Sequence, residues 1–557
     1  MNKTGHKNVS ANFKGLNLDE DSLKEFIKAL KNDDFSQESF KKVLEKCFLL
    51  FEKNELDLEQ MSLDYGFKSE NFLKEFAKLK GLDFIDLTSL NLDSFKQKIP
   101  LKKCIKHGCA VFKEDENFIH IAFDKNVNLS ILEEFAPFLQ NKHIKTYLAS
   151  ALQIKQYNEN LDFQSSLNHF KTLIQNELDN KGYDEKSGVH QLFYLLAKKA
   201  IALRASDIHF EPFKDIGLIR LRIDGLLSIF LKLELEIYQA LIFYIKLLAH
   251  LNVAEQRKAQ DGSFVFKKGE LEFDFRLSSL PLVEGESLVL RILERKKEFL
   301  RLENLHFEEE NLKQLKQSLN APFGLILLTG PTGSGKSTTL YASLNEIKDE
   351  SKKIITAEDP VEYRLDLVQQ IKLNERAEFG FENALRAILR QDPDVIMIGE
   401  IRDEKSLDIA IKAALTGHLV FSTLHTNDSL SALWRMMDMN AKPYLLASSI
   451  NIIIAQRLVR KLCAHCKLKK FYESFKEEFF SAKGCEYCNN SGYKGRELIE
   501  ECLFMDENLS ELIRKQASKK TMQEYLAQTA FKSMFDLGLK KVRQGITSIE
   551  ELLRVIK

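Results

Sequence analysis

From Asp19 to about Leu79, apolar residues recur at three- and four-residue spacings, through Leu23, Phe26, Ile27 and Leu30 and again around Phe40, Val43, Leu44 and Cys47. That period predicts helices with one core-facing stripe. Between Gly81 and about Tyr147 the pattern changes to short alternating runs, Leu82-Asp-Phe-Ile-Asp-Leu and Phe118-Ile-His-Ile-Ala-Phe, which predict a small α/β module. Polar, glycine-punctuated sequence around Asn176 to Gly188 predicts a linker, and a helix is expected next over Val189 to Leu203. Strand-like alternation returns in Leu218-Ile-Arg-Leu-Arg-Ile-Asp-Gly and Leu271-Glu-Phe-Asp-Phe-Arg-Leu, giving an α+β middle unit. Gly324-Leu-Ile-Leu-Leu-Thr differs from both, because an unbroken apolar run suits a strand buried on both faces of a parallel sheet. The organisation expected is multidomain α/β: an N-terminal module at 1–150, a linker at 151–188, a middle α+β domain at 189–300, and a domain at 301–557 with a cysteine-bearing insertion at 460–495.

Composition narrows the class. At 557 residues the chain has room for about three or four domains of roughly 150 residues. With 44% hydrophobic and 29% charged residues and only 24 Gly and 9 Pro, collagenous and broadly disordered classes are excluded. The 81 basic and 81 acidic side chains cancel, so no global cationic field exists to collect nucleic acid or anionic lipid. The opening Met1-Asn-Lys-Thr-Gly-His-Lys leads into no apolar core of signal-peptide length, and runs such as Tyr444 to Ala455 stop short of the ~20 residues that span a bilayer. A cytoplasmic protein with peripheral membrane contact is expected. Eight Cys are too sparse for a disulfide scaffold, and four of them cluster between Cys463 and Cys488. Cys104 and Cys109 are expected to be ordinary buried thiols.

The apolar run ending at Thr329 leads into Gly330-Pro331-Thr332-Gly333-Ser334-Gly335-Lys336-Ser337-Thr338 and then a helical stretch. This is G-x-x-x-x-G-K-S in a strand, loop, helix context. Its glycines let backbone N–H groups turn inward around phosphates, where the helix N-terminus adds partial positive charge. Lys336 is placed to reach the β- and γ-phosphates of ATP, and the Ser337 hydroxyl to take a position on Mg²⁺. Downstream, Asp394-Val-Ile-Met-Ile-Gly-Glu400 is a second apolar strand ending in an acid, the arrangement that holds the metal's water shell beside the phosphates. Between them, Ile354-Ile-Thr-Ala-Glu-Asp-Pro-Val-Glu362 closes a strand with Glu358 or Glu362 available to orient or deprotonate the attacking water. His418 and His425 flank a further strand, where a γ-phosphate sensor is expected.

These residues resemble the secretion ATPases of type II secretion systems, type IV pilus assembly and DNA-uptake pseudopili. Thr356-Ala-Glu-Asp-Pro-Val-Glu-Tyr363 resembles the family's Asp box, Met397-Ile-Gly-Glu-Ile-Arg-Asp403 its Walker B segment, and Thr416 to Asn427 its His box. The resemblance extends to Ala205-Ser-Asp-Ile-His-Phe-Glu-Pro212, Arg220-Leu-Arg-Ile-Asp-Gly225, Gln260-Asp-Gly262, Gly285-Glu286 with Arg291, Ser533 to Gly538 and Gly545 to Arg554. Gly81 to Leu87 and Ile99-Pro100 resemble its N-terminal adaptor module more loosely.

The resemblance implies a RecA-like core, a homo-hexameric ring, and ATP sites between that core and a neighbouring N-terminal domain. Arg220 and Arg222 are expected to neutralise charge on the transferred phosphoryl group, with Arg276 and Arg291 as further candidates. The resemblance also implies an assembly or extension motor attached peripherally to the inner membrane through a platform protein and a membrane-anchored adaptor. One departure is visible: Ala259 and Ser263 flank Gln260-Asp-Gly262 where the family commonly carries a proline and an arginine, so if that arginine helps to close the site, this chain relies on Arg257 or another residue.

Cys463-x-x-Cys466 and Cys485-x-x-Cys488, with eighteen residues between the pairs, have the spacing of a four-thiolate zinc site. Four thiolates fill a tetrahedron, so the Zn²⁺ expected is structural. Two rival classes remain in view. A nucleic-acid motor would share the phosphate loop and the zinc ribbon, but the charge balance disfavours direct nucleic-acid contact. A nucleotide-binding scaffold without turnover is at odds with the presence of every expected acid and the loop lysine.

Overall fold

The computed structural model describes residues 38–556 apart from 54–55, 57, 59–60, 62–68, 91–97, 126–128, 181–186, 295–300 and 374–378. The predicted stripe through Leu23, Phe26, Ile27 and Leu30 lies outside the described residues. The chain divides into two compact units. One runs through Leu293 and includes Cys463–Lys467 and Ala482–Gly492; the other comprises Glu294–Leu462, Leu468–Ser481 and Tyr493–Lys557.

In the first unit, helices Glu38–Glu52 and Ser69–Lys80 bury Leu44, Cys47, Phe48 and Phe51 with Phe72 and Phe76. The Phe48 and Phe72 rings meet edge to face at 4.9 Å, the arrangement that aligns a positive ring edge with a negative face. A four-stranded sheet follows, in the order Asp83–Phe84, His143–Leu148, Phe118–Phe123, Cys109–Glu114. Cys104 and Cys109 are buried in its core, as expected.

The segment expected as a linker, 151–188, contains the 30-residue helix Ala151–Asn180. Ile154, Tyr157 and Leu161 pack with the small sheet, whereas Phe163, Leu167 and Ile174 join the core of the next module. The two apolar stripes are out of phase, so no single helical face shows in the sequence. Ser187 then caps helix Gly188–Ala202, one residue from the predicted start. This helix and Leu235–Leu248 pack against a six-stranded sheet ordered Leu226–Glu234, Ile216–Ile223, Ala205–Pro212, Gly285–Glu294, Leu271–Leu282, Gln260–Lys268.

The second unit is built on a seven-stranded sheet ordered Val368–Lys372, Ile354–Glu358, Val395–Ile398, Leu419–Leu424, Gly324–Thr329, Ile450–Leu462, Tyr493–Phe504. The first six strands are parallel and the seventh is antiparallel to its neighbour. All six residues of Gly324–Thr329 are buried, which is what a continuous apolar run dictates. Parallel strands bring their carboxyl ends to one edge, and ligands of open α/β sheets bind at that edge. No helix among the described residues is long and apolar enough to cross a membrane.

Candidate functional site

Thr329, Glu358, Ile398 and Leu424 end four of the parallel strands on one edge, so Gly330, Asp359, Gly399 and His425 begin the loops there. After Thr329 the chain turns at Gly330 with φ 145°. A Cβ at this position would stand 2.6 Å from both the Gln456 carbonyl oxygen and Ser334 Oγ, so only glycine fits. Gly335, at φ 94°, opens helix Lys336–Ile347. Lys336 Nζ donates to the Gly330 and Pro331 carbonyls at 2.7 and 3.2 Å. Burial pushes its ammonium down to about 8, with Glu400 opposing that shift and Arg457 adding to it.

Ser334 Oγ is buried in the loop with no hydrogen-bond partner. An orphaned hydroxyl, a buried lysine bonded to neutral carbonyls and a helix N-terminus at one place fit a polyphosphate. Ser337 is exposed in the first turn of the same helix, where it can serve a divalent cation held by those phosphates.

The acids separate by environment. Glu400 accepts from Arg402 Nε at 2.7 Å and lies 3.2 Å from His425 Nε2. Burial pushes its carboxyl up, but the Arg402 and His425 contacts more than offset this and hold it below the usual glutamate value. Glu358 is 4% exposed. Its Oε1 accepts from Thr356 Oγ1 at 2.6 Å and Gln370 Nε2 at 3.1 Å, and its Oε2 from the Tyr341 hydroxyl. Glu362 donates its backbone N–H to that same hydroxyl at 3.0 Å. His425 therefore joins the Glu400 side of the site.

His418 does not join it. It precedes Leu419, which pairs with Gly324 at the start of the phosphate-loop strand, and its carbonyl accepts from Gly324 N at 3.1 Å. Six strand steps of ~3.3 Å separate it from Leu424 and put it about 20 Å from the loop edge. Its Nδ1 lies 3.0 Å from the Ala413 carbonyl. The sensor role expected of His418 is thus corrected: it fixes a helix-to-strand turn at the opposite edge.

The arginines lie on the six-stranded sheet of the first unit. Arg220 is ion-paired with Glu211, while Arg222 and Arg291 share Asp207 at 3.6 and 3.2 Å. Arg276 stands opposite Ser263 in the strand pairing, and Arg257 is 92% exposed beside Glu255 at 3.8 Å. Arg220, Arg222 and Arg291 are each ion-paired on the sheet, but the last two share the single carboxylate of Asp207.

Sequence reasoning missed Tyr341, Gln456 and Arg457. Ala455 pairs with Thr329, so Gln456 and Arg457 continue directly beside the phosphate loop. Gln456 Nε2 donates to Thr339 Oγ1 at 2.8 Å, and Arg457 reaches the Gln456 and Asn427 carbonyls at 3.0 Å. A Gln-Arg pair inside Ile452-Ile-Ile-Ala-Gln-Arg-Leu-Val459 was the available signal, because two adjacent polar residues in a buried strand need a polar reason.

The four predicted metal ligands converge. The sulfurs of Cys463, Cys466, Cys485 and Cys488 all lie within 4.8 Å of one another, with Cys463–Cys485 and Cys466–Cys488 at 3.8 Å. Four sulfurs about 2.3 Å from one tetrahedral ion stand about 3.8 Å apart. Backbone N–H groups of Cys485 and Gly492 donate to Cys488 Sγ at 3.2 Å, the support a bound thiolate needs. His465 stacks on Tyr487 at 3.6 Å and is not among the four clustered ligands.

The Type II/IV secretion system protein family model matches residues 183–554, and the MshEN domain model matches residues 81–164. The type II secretion system ATPase E of Vibrio cholerae serotype O1 is 40% identical over 431 residues, covering 75% of this chain and 85% of that protein. The type IV pilus assembly ATPase TfpB of Acinetobacter baylyi is 38% identical over 447 residues, covering 75% and 76%. In fold, the chain is similar to the ATPase DotB of Yersinia pseudotuberculosis, with a TM-score of 0.51 at 21% identity over 66% of this chain and 93% of that one. A phosphate loop, two strand-end acids and a family match over residues 183–554 agree: the chain belongs to the Type II/IV secretion system protein family and is one of its ATPases.

Proposed function

We propose that this chain hydrolyses MgATP as a subunit of a homo-hexamer and uses the turnover to drive assembly of a type II secretion pseudopilus, a type IV pilus or a DNA-uptake pseudopilus. The observation that carries the reading is the single sheet edge that collects Lys336, Glu358, Glu400 and His425. On this reading the seven-stranded unit is a RecA-like core. Loop N–H groups from Gly330 to Thr338 and the Lys336 ammonium hold the phosphates, and Ser337 and Glu400 serve Mg²⁺, which supplies charge neutralisation when bound. Glu358 or Glu400 positions the attacking water, with Glu362 and His425 beside them. Arg220 and Arg222 are the proposed counter-charges for the transferred phosphoryl group, exchanging Glu211 and Asp207 for it.

The cysteine cluster holds a structural Zn²⁺, because four thiolates leave no open position for catalysis. The N-terminal module is proposed to engage a membrane-anchored adaptor, and the ring an inner-membrane platform protein, which keeps a cytoplasmic motor at the membrane. Phosphate release by the purified protein is expected to fall to near background in Lys336→Ala and Glu400→Ala. Equal turnover in the parent and both variants overturns the reading. Deleting the gene and assaying surface fibres, protein secretion and transformation in parallel assigns the machine.

A further inference from the structure

Arg457 is 7% exposed, and its mapped hydrogen bonds all end on neutral oxygens. NH1 donates to the Gln456 carbonyl at 3.0 Å, and NH2 to the Asn427 carbonyl at 3.0 Å and Asn427 Oδ1 at 3.2 Å. Among the described residues it makes no ion pair. The carboxylates whose charge it feels are Glu501 and Asp428. Both are engaged elsewhere: Glu501 by Ser429 N and Met534 N at 2.8 and 2.9 Å, Asp428 by Ser431 N and Oγ at 2.6 and 2.7 Å. A cation taken out of water without a paired anion costs several kcal/mol, and a fold keeps one where an anion arrives later.

Its place says which anion. Arg457 follows Gln456, whose carbonyl stands over Gly330, and its charge adds to that of Lys336. Through Asn427 it also holds the end of the His-box segment, whose Thr426 N–H and hydroxyl bond Thr329 Oγ1 at 2.9 and 2.6 Å. Gln456 beside Gly330, Arg457, Asn427, Thr426 and Thr329 thus form a continuous chain of contacts beside the loop.

The geometry points to Arg457 as a second cation of the nucleotide site, contributed by the same chain that carries the phosphate loop. It is a positioning residue: it stabilises bound phosphates through its field and keeps His425 and Asn427 registered to the loop. This deepens the ATP-hydrolysing reading and rests on it.

Three preparations test it, using MgATP as the probe and the full chain. Arg457→Met preserves most of the volume and removes the charge; Arg457→Lys preserves the charge and loses the fork. In Arg457→Met, KM and Kd for MgATP are expected to rise about tenfold, while Tm without nucleotide stays the same or rises, because an unpaired buried charge has been removed. Arg457→Lys is expected to recover most of the affinity. Parent-like MgATP affinity in Arg457→Met overturns the inference. So does a Met variant that is destabilised or unfolded without nucleotide, or a Lys variant no better than Met, since each assigns Arg457 to packing. Lys336→Ala separates the two levels: if it too turns over ATP normally, the site reading itself has failed; if it is inactive while Arg457→Met is normal, only this inference falls.

Discussion

At the scale of single residues, the Tyr341 hydroxyl organises one half of the site. It donates to Glu358 Oε2 and accepts the N–H groups of Glu362 and Tyr363 at 3.0 and 3.3 Å, all in a place where Tyr341 is 1% exposed. Tyr341→Phe removes one oxygen and strands a carboxylate oxygen and two backbone donors. Each stranded group costs about 1–3 kcal/mol, and with rearrangement keeping the sum at the low end, unfolding in urea is expected to show a loss of about 3 kcal/mol. The phosphate loop keeps its own contacts, so KM for MgATP should hold while kcat falls with the freed Glu358. An unchanged kcat would mean that the orientation of Glu358 does not matter to turnover. None of this was legible beforehand: in sequence Tyr341 is one aromatic on a helix, and its partners lie 17 to 22 positions away.

Elements decide which motif residues can act together. The strand Leu419–Leu424 carries a histidine at each end, and spacing alone treats the two alike. Parallel pairing with Gly324–Thr329 separates them, so His425→Ala is expected to lower kcat at least tenfold, whereas His418→Ala should stay within about twofold of the parent. Comparable losses in both would contradict the edge assignment.

The glycines, Lys336, Glu358 and Glu400 were legible because each is marked by a local rule, an apolar strand followed by a turn or an acid. Edge identity, the two-phase helix Ala151–Asn180 and the carboxylates balancing Arg220 and Arg222 depend on partners distant in sequence. The tie between helix Ile549–Val555 and strand Ile450–Leu462 is of the same kind. Burial alone would push the Glu551 carboxyl up, but Arg554 and Arg460 more than offset it and hold it down to about 2. A folded pKa below the unfolded value stabilises above about pH 4.5, and that stability drains away as pH falls towards 2. Glu551→Gln should therefore flatten the acid limb of the stability curve, by about 3 kcal/mol between those limits, as read from denaturant midpoints at several pH values.

For the molecule as a whole, the cysteine cluster tests whether shape and chemistry are separable. Its ligands come from two short segments, Cys463–Cys466 and Cys485–Cys488, that enclose the antiparallel hairpin of Leu468–Tyr472 with Glu477–Ser481. Holding those segments on one ion closes a loop of this length, a constraint on the unfolded chain of about 3 kcal/mol by the same reasoning as for a disulfide. Purified protein is expected to contain one zinc per chain, and Cys485→Ser to lose it. Loss of the metal should lower Tm. MgATP affinity should not change, because the four sulfurs leave no coordination position open and the proposed phosphate site is Lys336 and its loop. The two readouts decide the matter together. A variant that keeps its affinity while losing zinc confirms a structural ion. One that loses both in proportion would tie the cluster to the nucleotide site and make the ion part of the machinery of turnover.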